Sequence, residues 1–138
     1  MWVEWLVLAD AAEVVNNKLY VMGGGWNRLT VRVDFPVVQH FGIALSVMVT
    51  PEETEKFHEF ALDVLSPEGK LLATFEAEFE VGKTASTVNR NQRWQFATSV
   101  DLSLEGPGSY PVVIHLNRLE AARQVFEVLA AVDDPEES

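Results

Sequence analysis

The chain has 138 residues, of which 48% are hydrophobic and none is cysteine, and its ten basic and twenty-one acidic residues give a net charge of −11. That length fits one domain with one buried core. The missing cysteines exclude disulfides, thiolate catalysis and Cys-based zinc sites, and the charge repels nucleic acid and anionic lipid, so neither is expected as a partner.

The opening MWVEWLVLAD is apolar, but it holds Glu4 and has no Lys or Arg before Lys18. It therefore lacks the positive region of a secretory signal, and the apolar run is too short to span a membrane as a helix. A cytoplasmic protein is expected, with a first strand at residues 2–9. In that strand Leu6 and Leu8 fall on one face and Trp5, Val7 and Ala9 on the other. Neither face is polar, so both need cover. The loop at 82–91 and the acidic C-terminal end are too polar for the task, which points to self-association, a homodimer in which apolar patches meet about a two-fold axis.

Asn16-Asn17 can adopt left-handed angles and marks a turn, followed by strands at 18–26 and 28–34. Between these lie Gly23, Gly24 and Gly25, then Trp26, Asn27 and Arg28. A phosphate-binding loop needs glycines at set spacing followed by a helix whose amides hold the anion. Here Leu29, Val31 and Val33 alternate as a strand, so the glycines are expected to make a bulge or sharp bend, with Trp26 folded over the edge of the core.

Further strands are expected at 39–50, 57–66, 70–81, 92–104, 109–117 and 123–130. In 39–50, Phe41, Ile43, Leu45, Val47 and Val49 share one face; in 70–81, Phe75 and Phe79 point one way and Glu76, Glu78 and Glu80 the other. PEETEKF is long enough for one helical turn, Pro67-Glu68-Gly69 and Gly106-Pro107-Gly108 reverse the chain, and GKTASTVNRN is an exposed loop. Its GKT matches the end of a P-loop, but the first glycine would fall at Ala77, so that motif is absent.

Many short strands with turns at roughly ten-residue spacing predict an all-β, antiparallel β-sandwich over residues 1–132, with a solvated acidic tail at 133–138. Its core should contain Phe41, Leu45, Phe75, Phe79, Trp94, Phe96, Val112 and Ile114.

The stretch LVLADAAEVVNNKLYVMGGGWNRL resembles the opening of an uncharacterised bacterial family of small β-sandwich domains. Its pattern is LADAA, a short variable step, GKL and then GGGW; here Asn17 stands at the first glycine position. The closing GSYPVVIHLNRLEAARQVFEV is similar to the last hairpin of bacterial immunoglobulin-like sandwiches. The resemblance implies an immunoglobulin-like fold and no established activity, so it brings no catalytic residue.

Chemistry is sparse. His40, His58 and His115 have no partner at metal-ligand spacing, and no serine sits in a Gly-x-Ser-x-Gly elbow. Glu76, Glu78 and Glu80 form a row with about 7 Å between neighbours, from the strand rise. The row alternates with a core face and is expected as solvated surface. No cofactor, no metal and no enzyme activity are expected. What remains is a non-catalytic protein-interaction or assembly module, or alternatively a small-ligand or carbohydrate-binding sandwich. The candidate contact residues for a ligand or partner are Trp2, Trp5, Trp26, Asn27 and Arg28, since indoles near strand ends can stack on a sugar or grip a chain.

Overall fold

Period-two alternation dictates nearly every element. The computed structural model describes residues 1–131. Its strands are β1 (Trp2–Ala9), β2 (Ala11–Val15), β3 (Lys18–Met22), β4 (Arg28–Val31), β5 (Val37–Val49), β6 (His58–Leu65), β7 (Leu71–Phe79), β8 (Gln92–Leu104), β9 (Gly108–Leu116) and β10 (Leu119–Ala130). One 3-10 helix, Pro51–Glu53, follows β5 where a helical turn is expected. The tail expected at 133–138 lies outside the described residues.

The strands form a three-stranded sheet in the order β1-β5-β8, a five-stranded sheet in the order β4-β10-β9-β6-β7, and a separate β2-β3 hairpin. The first sheet points Leu8, Phe41, Ile43, Leu45 and Val47 inward; the second points Phe60, Leu62, Val64, Val112, Ile114 and Phe126 against them in one continuous core. Each such side chain contributes roughly 1.5 to 3 kcal/mol by leaving water. Aromatic rings lock the two sheets together: Trp94 of β8 stacks on Phe79 of β7 at 4.1 Å and meets Phe60 of β6 at 5.2 Å. Of the expected core residues, Phe41, Leu45, Phe79, Val112 and Ile114 are buried, while Phe75, Trp94 and Phe96 pack against the cluster half-buried.

Some strand ends shift by up to four residues, as where β4 stops at Val31 and β10 begins at Leu119, and three larger features differ from the sequence expectation. First, residues 11–15 form β2, because Asn16 and Asn17, at φ 52° and 62°, close a two-residue hairpin that pairs 11–15 with β3. Second, the strand expected at 18–26 stops at Met22, because Gly23 and Gly25 take φ of 63° and 92°, which a strand cannot continue. Third, the pairing is not wholly antiparallel: β4 runs parallel to β10, with Arg28 opposite Glu127 and Val31 opposite Ala130. The chain reaches β4 from β3 of the separate hairpin through residues 23–27, so no tight turn joins β4 to β10 and forces the pair antiparallel.

Candidate functional site

The structure separates the aromatic and polar residues that the sequence nominates as contacts. Trp26 turns inward, its ring edge-on to Phe41 at 5.5 Å and to Phe126 at 6.1 Å, so it wedges between the two sheets. Its indole Nε1 has no hydrogen-bond partner among the described residues. Asn27 and Arg28 are exposed; the Asn27 carbonyl accepts the Glu127 amide at 2.9 Å, which anchors β4 to β10. Trp2 and Trp5 lie toward the other end of β1, paired with Met48 and Ser46 of β5. A strand rise of about 3.3 Å per residue puts Trp2 roughly 20 Å from Leu8, whose carbonyl accepts the Gly25 amide. The five residues therefore belong to two places.

The glycines are a structural crossing. Gly25 donates to Leu8 O at 2.9 Å, and Asp10 donates to Met22 O and Gly23 O, so this segment runs along the free edge of β1. Gly24 is a close approach: a Cβ there would stand 2.6 Å from Val21 Cγ1 and 3.2 Å from Val7 Cγ1. These contacts cover the outward face of β1, the face that the sequence leaves needing a lid.

The rest of that lid is the hairpin. Phe41 and Ile43 point into the core, so Gly42 points outward, and a Cβ on it would lie 2.9 Å from Ala12 N. Strand β2 thus crosses directly over β5 and reaches β8. Small side chains beneath it, Ala9 and Ala44, are fully buried. By pairing, Ala12, Val14, Leu19 and Val21 occupy the side of the hairpin turned to the sheet, while Ala11, Glu13, Val15, Lys18, Tyr20 and Met22 occupy the other. Tyr20 and Met22 remain 51% and 71% exposed. These outward residues are not among the contacts named from sequence. The available signal was Asn16-Asn17 between two apolar runs, a hairpin signature.

At the other end of the same face, Arg93 of β8 reaches across to Glu4 with hydrogen bonds of 2.7 and 3.0 Å. The Arg93 hydrogen bonds hold Glu4 below the ordinary carboxylate range against the opposing effect of desolvation.

The outer face of the five-stranded sheet carries the second candidate. Ala61 of β6 pairs with Glu76 on one side and His115 on the other. Its short side chain leaves a concavity of about 510 Å3 rimmed by Glu59, Glu76, Glu78, His115 and Arg118. Arg118 donates to Glu59 at 2.9 Å, and His115 Nδ1 lies 3.7 Å from Asp63, which accepts from Thr74 at 2.6 Å. The remaining histidines are committed elsewhere. His58 Nε2 donates to the Glu53 carbonyl at 2.6 Å while Asn117 donates to its Nδ1, and His40 pairs with Asp101 at the surface. Among the described residues no three His, Asp or Glu side chains converge to hold a metal ion, and no helix is long and apolar enough to cross a membrane.

A family model described as "Family of unknown function (DUF6941)" matches residues 4–129. No curated protein matches the chain. Among solved structures, it is similar to the Pseudomonas fluorescens alkylpurine DNA glycosylase AlkC bound to DNA containing an abasic site analog. The identity is 14% and the TM-score 0.43 over 75% of this chain. The match spans 28% of that protein's chain, and a likeness so low carries nothing about activity.

Proposed function

We propose that this chain, which belongs to the DUF6941 family of unknown function, is a non-catalytic protein-interaction or assembly module that associates with itself. Membership in that family assigns no reaction. The observation that carries the reading is the outward side of the β2–β3 hairpin, where Tyr20 and Met22 stand in water above the sheet. Exposed apolar residues gathered on one element mark interaction surfaces more often than isolated ones do. Trp2, 45% exposed at the start of β1, adds an aromatic anchor on the same side of the molecule. We assign the scaffold an immunoglobulin-like sandwich architecture and place its action in the cytoplasm, consistent with a cysteine-free acidic chain.

Sedimentation velocity at micromolar concentration tests this reading. A species of twice 15.4 kDa supports it; a monomer at all concentrations removes self-association. The second reading is a small-ligand or carbohydrate binder, favoured by the concavity over Ala61 and by the exposed indole of Trp2. A glycan array with a thermal-shift screen distinguishes it.

A further inference from the structure

The outward side of the β2–β3 hairpin is self-complementary. The hairpin, residues 11–22, contains one acid, Glu13, and one base, Lys18, so the whole net charge of −11 resides elsewhere in the chain. A second acidic copy is repelled by the rest of the surface and not by this patch. On the patch, Glu13 is paired with Tyr20 and Val15 with Lys18, so Glu13 and Lys18 lie at opposite ends of a diagonal with Tyr20 and Val15 beside them. Rotation about an axis in the plane of contact that bisects this diagonal sets each Glu13 opposite the partner's Lys18. The same rotation crosses the two hairpins at a steep angle, one of the two ways that sheets pack face to face, and brings Tyr20 against the partner's Tyr20.

We propose that the hairpin face Glu13, Val15, Lys18, Tyr20 and Met22 is the surface on which a second copy of this chain docks, about a two-fold axis, with two symmetric Glu13–Lys18 pairs setting the register. This rests on the self-association reading above and names its surface. An isologous interface needs each group to find its complement on an identical patch, and opposite charges on one diagonal meet that condition. The apolar residues between them supply the area that leaves water, and the close approach of β2 to Gly42 seats the patch directly on the sheet.

The test is a charge-swap series followed by sedimentation equilibrium. Glu13→Lys or Lys18→Glu alone places like charges opposite each other and is expected to weaken the dimer about tenfold or more. The double variant Glu13→Lys/Lys18→Glu restores the pairing and is expected to return affinity to within about threefold of the parent. Met22→Glu, an exposed change, is expected to weaken association as well, and unfolding midpoints check that each variant is folded. Weakening without restoration in the double variant overturns the pairing. A dimer indifferent to all these changes overturns the hairpin surface and leaves self-association standing. A monomer throughout overturns both.

Discussion

Gly42 lies directly beneath Ala12: a Cβ on Gly42 would stand 2.9 Å from the Ala12 amide nitrogen and 3.1 Å from the Ala11 carbonyl carbon. The obstruction is backbone, which cannot swing aside as a side-chain tip can. Gly42→Ala is therefore expected to lift the β2–β3 hairpin from the sheet at a cost of about 1 to 3 kcal/mol. Urea unfolding with amide exchange read over residues 11–22 checks it; unchanged stability and protection would show that the hairpin does not rest on Gly42.

Gly24→Val is expected to lower the melting temperature with or without any added metabolite. The new Cβ meets Val21 and Val7 at 2.6 and 3.2 Å, where overpacking costs about 1 to 3 kcal/mol. A variant that melts normally but loses binding of a small molecule would make the glycine segment a ligand loop instead of a crossing.

Trp26 and Trp2 make a contrasting pair. Trp26→Ala empties the wedge between Phe41 and Phe126 and is expected to cost about 3 to 5 kcal/mol. Trp2→Ala, at a strand end and 45% exposed as a residue, is expected to change monomer stability by only about 0.5 kcal/mol. Denaturant midpoints of the two variants in the reverse order would overturn this assignment of inside and outside.

Glu53 links stability to acid. Burial alone would raise its pKa, but the Met1 ammonium at 2.8 Å and the amide and hydroxyl of Thr50, at 2.9 and 2.8 Å, outweigh it and bring the value from 4.5 to about 2. A folded value below the unfolded one means stability that is fully present above the ordinary carboxylate pKa and is lost as pH falls from 4.5 towards about 2. Glu53→Gln should lower the melting temperature at neutral pH and flatten its decline across that acid window. Parallel melting curves for variant and parent through the window would exclude the linkage.

The strands at 2–9 and 92–104 were legible to the residue, and the outward Glu76, Glu78 and Glu80 row of β7 and its neighbouring residue was legible in side if not in setting. The hairpin was half legible: Asn16-Asn17 announces its turn, but AAEVV follows β1 after a single residue, Asp10, so it carries no boundary of its own. The candidate surface went unnamed for the same reason. Tyr20 and Met22 are apolar, and local pattern says only that they share a side, not whether that side faces sheet or water.

Sequence alone determined the β character, most strand positions and the sidedness of Phe41 to Val49, because side-chain alternation is a property of each strand by itself. The missing cysteines also rule out disulfides and thiolate chemistry within these residues. Tertiary structure alone decided that Trp26 enters the core, that β4 lies parallel to β10, that the chain's own hairpin covers β1 and β5, and that Ala61 floors a charged concavity. Each of these depends on which residues, distant in the chain, come within a few ångströms of one another. The backbone of Ala12 can approach β5 so closely only because position 42 has no Cβ, and neither residue reveals the other until the sheets are assembled.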